Sequence, residues 1–154
     1  DIVLKKRIQS LREILLLSTA PLTGQINFNN YSSTTIYGSY SCFSRGFDFL
    51  LLFSYRYIAL YNANTVNITL NSDSNNVYIN IINDGKSIFN YKEFEVCADI
   101  PCIDSNGFKS DKDMVILRCA MSYYNFFNAK LFLHNESGNN IVTLRIPRLE
   151  CLPQ

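Results

Sequence analysis

The chain has 154 residues, 47% of them hydrophobic and 18% charged, with a formal net charge of +1. That length supports one domain burying about 68–70% of its unfolded surface, and the near-neutral balance supplies no basic footprint for nucleic acid. No apolar run reaches the roughly 18–20 residues of a membrane span. The longest, Phe47 to Leu60, carries Asp48 and Arg56 and reads as buried strand.

The first predicted element is a helix over about 2–18. Leu4, Ile8, Leu11 and Leu15 recur at the spacing of one buried helix face, and Lys5, Lys6, Arg7, Arg12 and Glu13 fill the other. Asp1 is available as its N-cap. Pro21 disfavours helical geometry at Ala20 and marks the end. The chain opens at Asp1 with no initiator Met, and its first 17 residues are too charged for a signal peptide, so a processed fragment or excised domain is expected.

From Gln25 the pattern changes to short runs rich in β-branched and aromatic residues. Predicted strands are Gln25–Phe28, Thr34–Tyr40, Phe47–Phe53, Tyr55–Tyr61, Thr65–Leu70, Val77–Ile82, Ser87–Tyr91, Phe94–Ala98, Met114–Met121, Phe126–His134 and Ile141–Ile146. Alternation is clean where Val66, Ile68 and Leu70 face Thr65, Asn67 and Thr69. Asn83-Asp84-Gly85-Lys86 has the composition of a type I′ hairpin turn. Short links call for antiparallel neighbours. The expected class is α+β: one N-terminal amphipathic helix packed against, or wrapped by, a mainly antiparallel sheet. The whole of 1–154 is read as a single domain, with the β body over about 25–147.

Few residues point to chemistry. His134 is the only histidine, and no nucleophile motif accompanies it. Glu93 and Glu95 share a strand face, which a solvated surface explains more simply than an acid/base pair. Asp104, Asp111 and Asp113 resemble calcium-loop oxygens, but Val115 stands where the bidentate Glu is required. Neither a Walker motif nor GxGxxG is present. Of the five cysteines only Cys97 and Cys102 lie close, leaving a local disulfide open and offering no second pair for zinc. Three glycosylation sequons, at Asn30, Asn67 and Asn135, are expected by chance in a chain with 18 asparagines. No catalytic residue, metal or cofactor is expected.

What stands out is a surface rich in Tyr and Asn. Tyr31, Tyr37, Tyr40, Arg45, Tyr123, Tyr124 and Asn125 lie at predicted strand ends and turns. Tyrosine rings with amide and guanidinium donors suit a sugar, which stacks through its C–H face and bonds through its hydroxyls. The plainer reading of each tyrosine is a partly buried strand residue.

Fragment size, A/T-rich composition (18 Asn, 11 Phe and 10 Tyr) and a mainly β body together resemble the receptor-binding head of a rotavirus outer-capsid spike protein. The chain has no Trp and opens with a helix, unlike the galectin-like group A heads, so the resemblance is to a divergent, group B-like rotavirus. It implies a non-catalytic domain on the virion surface, made in the host cytoplasm, that attaches to host cell-surface glycans. Its other partners would be the rest of the spike and the capsid, with neither nucleic acid nor membrane insertion. The alternative is a viral β-module that binds a host protein.

Overall fold

A computed structural model of the chain describes residues 2–3, 25–29, 35–36, 38–86, 94–96 and 111–148. In chain order these form β1 (Ile2–Val3), β2 (Gln25–Asn29), β3 (Thr35–Ile36), α1 (Tyr40–Leu60), β4 (Thr65–Ser72), β5 (Asn76–Asn83) and β6 (Phe94–Val96). There follow α2 (Asp111–Tyr124), a 3-10 turn (Asn125–Phe127), β7 (Lys130–Glu136) and β8 (Asn139–Pro147). The class is α+β, with the two helices packed against an antiparallel run of five strands.

That run has the order β4-β5-β8-β7-β6, and β2 adds a sixth strand at the β4 edge. β2 lies parallel to β4, pairing Gln25 with Thr65 through to Asn29 with Thr69. β3 and α1 intervene between them, supplying the long crossover that a parallel pair requires, and the rest of the sheet is antiparallel as expected. β1 and β3 form a separate two-stranded ladder.

The largest correction concerns residues 40–60. Expected as two strands with part of a third, they form one 21-residue helix. Phe43, Phe47, Leu50, Leu51 and Ser54 are buried, whereas Ser41, Arg45, Asp48 and Leu52 are exposed, both sets at helical spacing. Exposed Leu52 made the stretch look like a continuous apolar run, for which periodicity alone does not separate strand from buried helix. Met114–Met121, expected as a strand, is likewise part of α2, burying Leu117, Ala120, Met121 and Tyr124. The predicted N-terminal helix is corrected at its start, since Ile2–Val3 is a strand. Its remaining residues lie outside the described ones, as do Ser87–Tyr91, Cys97, Cys102, Asp104 and Cys151.

Aromatic rings join the two helices. Phe43 stacks on Phe47 at 5.8 Å and meets Tyr124 and Phe127 edge-on at 5.7 and 6.1 Å. The Tyr124 hydroxyl donates to the Phe43 carbonyl at 3.3 Å. Gly46 permits this approach, because a Cβ there would stand 2.7 Å from the Tyr124 ring.

Under the helices the strands alternate strictly. Val66, Ile68 and Leu70 of β4 are buried, as are Val77, Ile79 and Ile81 of β5, Leu131 and Leu133 of β7, and Val142, Leu144 and Ile146 of β8. The expected alternation of β4 is present. The type I′ turn falls elsewhere than expected. Asp84 and Gly85 have no positive φ, while Ser137 and Gly138, at 51° and 81°, close the two-residue β7–β8 hairpin.

Candidate functional site

The apolar stripes of β5 and β8 end in two asparagines. Asn83 follows Ile81 on the helix-facing side, Asn140 precedes Val142, and the two are cross-strand partners. Each is only 1% exposed. Asn140 Nδ2 donates to Asn83 Oδ1 at 3.0 Å and to the Gly85 carbonyl at 2.9 Å. The Gly85 backbone N–H donates to the same Asn83 oxygen at 3.0 Å. Two donors on one atom identify it as the oxygen, so the Asn83 amide nitrogen points away from the network. That nitrogen is buried and has no hydrogen-bond partner. An unmet buried donor costs about 1–3 kcal/mol, so in a native fold it calls for water, an ion or a ligand.

The loop carrying this pair is fastened to the end of α1. Asp84 Oδ1 accepts the backbone N–H groups of Asn64 and Thr65 at 2.8 and 3.0 Å. The Lys86 N–H donates to the Tyr61 carbonyl at 2.7 Å. Asn83 therefore sits where the sheet, the loop after β5 and the α1–β4 connection meet. It can offer a neutral hydrogen-bond donor in a dry setting. The sequence reading missed both asparagines by placing Asn83 in a turn. The available signal was Asn in register with an apolar stripe: Val77, Ile79, Ile81, Asn83 on one strand and Asn140, Val142, Leu144, Ile146 on the other.

The seven residues proposed for a sugar fall differently. Tyr31 and Tyr37 lie outside the described residues, and Tyr40 is the first residue of α1. Arg45 is exposed on α1, and Asn125 is exposed in the 3-10 turn. Tyr123 is half-buried with its ring stacked on Phe49 at 6.0 Å. Tyr124 is fully buried in the helix–helix seam, so its ring is closed to any ligand. The fold thus brings Arg45, Tyr123 and Tyr124 to one helix pair. His134, at the end of a predicted strand, is half-buried within β7. Its ring lies 3.8 Å from the Glu136 carboxylate.

No protein-family model matches the chain, and no curated protein does. Solved structures do. The histidine kinase AdeS of Acinetobacter baumannii superposes with a TM-score of 0.62 at 14% identity, over 92% of this chain. This chain spans 65% of the length of that one. The catalytic domain of histidine kinase ThkA, in a nucleotide-free form, superposes with a TM-score of 0.64 at 13% identity, covering 96% of this chain and 94% of its own. A second form of that domain gives 0.67 at 12% identity.

These likenesses overturn the resemblance to a rotavirus spike head, which rested on composition and overall character. With it go the virion-surface location, the glycan and capsid partners, the host-protein alternative and the expectation of a non-catalytic domain. At 12–14% identity the shared property is the fold, and the chain has the fold of histidine kinase catalytic domains.

Proposed function

We propose that the chain is a nucleotide-binding module of the histidine-kinase catalytic type, with 1–154 folding as one unit. The observation that carries this reading is the superposition on the ThkA catalytic domain over 96% of this chain and 94% of that one. Support of a different kind comes from the buried Asn83–Asn140 pair, which leaves a desolvated amide donor at the end of the helix-facing sheet. The ligand would be a nucleoside triphosphate such as ATP, the phosphoryl donor of kinases, and catalysis of its transfer is mainly positioning and electrostatic stabilisation. Asn83 Nδ2 would donate to an acceptor atom of the bound nucleotide, relieving its unmet hydrogen bond.

Kinases hold magnesium with the phosphates. Among the described residues no three His, Cys, Asp or Glu side chains gather into a metal-holding group. The chemistry derived from them is therefore binding through neutral amides and backbone groups. The only histidine does not serve as the phosphoryl acceptor of this site, because His134 lies on the opposite face of the sheet from Asn83. The acceptor would come from another segment or another protein.

Titration calorimetry with ATP and ADP, with and without magnesium, tests the reading. Saturable binding is expected, weakened about tenfold in Asn83→Leu, which removes a hydrogen bond worth roughly 1.5 kcal/mol to a charged or desolvated group. Absence of heat at millimolar nucleotide from protein with a cooperative melting transition would overturn it.

A further inference from the structure

On the face of the sheet turned away from the helices, Tyr78, Phe132, His134, Thr143 and Arg145 line an open cavity of about 210 Å³. The Arg145 guanidinium lies over the Phe132 ring, 5.1 Å from its centroid. Among the described residues it has no hydrogen-bond or ion-pair partner, so the ring holds its N–H groups in place. Lys130 stands directly opposite Arg145 in the β7–β8 ladder, and among the described residues it too has no acidic partner. Two like charges facing each other across adjacent strands destabilise a sheet. That arrangement persists at a gain when an anion lies between them.

The neighbouring groups narrow the ligand. The Tyr78 hydroxyl donates to Asp73 Oδ2 at 2.9 Å, and the Thr143 hydroxyl donates to Asn80 Oδ1 at 2.8 Å. Both have spent their protons, so the donors left for an anion on the cavity wall are those of Arg145 and the His134 ring, with Lys130 beside Arg145 on the next strand, and the rings of Tyr78 and Phe132 supply apolar walls. Glu95 lies opposite Phe132 on β6, and Glu136 lies beside His134. These carboxylates oppose a polyanion and leave room for one negative group. The volume is below the ~300–1,000 Å³ of drug-sized sites.

We infer that this outer-face cavity is a second binding site, for a small organic carboxylate with a flat or short apolar body, held by Arg145 with help from Lys130. It is independent of the nucleotide reading and lies on the other side of the sheet from Asn83. The test is titration of the ¹⁵N-labelled chain with benzoate at constant ionic strength, with acetate and chloride as controls. Saturable shifts are expected at the Arg145 Nε–H and the backbone amides of Thr143 and Lys130, with benzoate tighter than acetate and chloride inert. Arg145→Gln should weaken binding about tenfold, as loss of a charge-assisted bond does. Lys130→Gln should weaken it about threefold, as loss of an exposed charge does. Shifts that stay linear in benzoate, match those of chloride, or persist unchanged in Lys130→Gln would overturn the inference. Lys130 is exposed, so that variant keeps the test decisive even if Arg145→Gln does not fold.

Discussion

The two faces of the sheet are built from the same strands and do opposite work. Toward the helices, β4, β5, β7 and β8 show apolar stripes, closed over by Phe43, Phe47, Leu50, Tyr124 and Phe127. Away from them, the alternate residues include Thr, Asn, Tyr, Arg, Lys, Phe and His beside the Ile82–Ile141 pair, with side-chain hydrogen bonds and a cation–π contact among them. The period of two in a strand lets one segment serve both, so stability is concentrated on one side and recognition is free to vary on the other. The buried Asn83–Asn140 pair is the exception: a polar, directional element placed on the apolar side.

Substitutions can test this division. Phe43→Ala removes the ring at the centre of the helix seam and should cost about 3–5 kcal/mol in denaturant unfolding; a loss under about 1 kcal/mol would mean that the seam collapses around the hole or does not carry the fold. Next in size, Asn140→Leu leaves the Gly85 carbonyl without its donor and should cost about 1–3 kcal/mol. If that variant were instead more stable, the pair would be a functional element maintained against stability.

On the outer face the effects should shrink. Thr143→Val keeps shape and loses one hydroxyl bond to Asn80, so a change of about 1 kcal/mol or less is expected. A larger loss would show that the outer face carries part of the core's burden. The smallest effect concerns acid. Asp73 accepts the N–H groups of Asn75 and Asn76 and the Tyr78 hydroxyl, which together hold its carboxyl below the ordinary value of 3.8. A depressed carboxylate pKa stabilises the fold above the ordinary value, and that contribution is lost as pH falls through the folded one. Tyr78→Phe removes one of the three donors and moves the folded pKa back toward 3.8. The variant should melt slightly lower near neutrality and lose less on acidification than wild type. Parallel melting curves from about pH 6 to about pH 2.5 would show that the Tyr78 bond does not reach Asp73 in solution.

The strands were legible because their signal is local. β4, β5 and β8 could be read from alternation and flanking Asn, Asp and Ser, and their buried positions are those that the pattern marks. The helices were not. α1 carries Phe, Tyr, Leu and Ile, residues that favour strands as readily as a buried helix, and its exposed Leu52 and Leu60 blur the polar side. α2 places Val115 and Ile116 beside Leu117 and looks the same over a short window. The candidate site was less legible still. Asn83 is followed by Asp-Gly, and that dipeptide ordinarily marks a turn. Here Asp84 instead caps the start of β4, drawing Asn83 under the helices.

By itself, the amino-acid order determined the α+β class, the alternating strands and the set of side chains available to a core, because these depend on chemistry a few residues apart. The tertiary structure decided that the Phe-rich run coils rather than extends, since only a sheet and a second helix presenting Tyr124 and Phe127 make its helical face worth burying. It also decided that β2 joins β4 in parallel and that two asparagines 57 residues apart meet in the dark. Those outcomes rest on contacts between distant segments, whose closure costs entropy that only the assembled core repays.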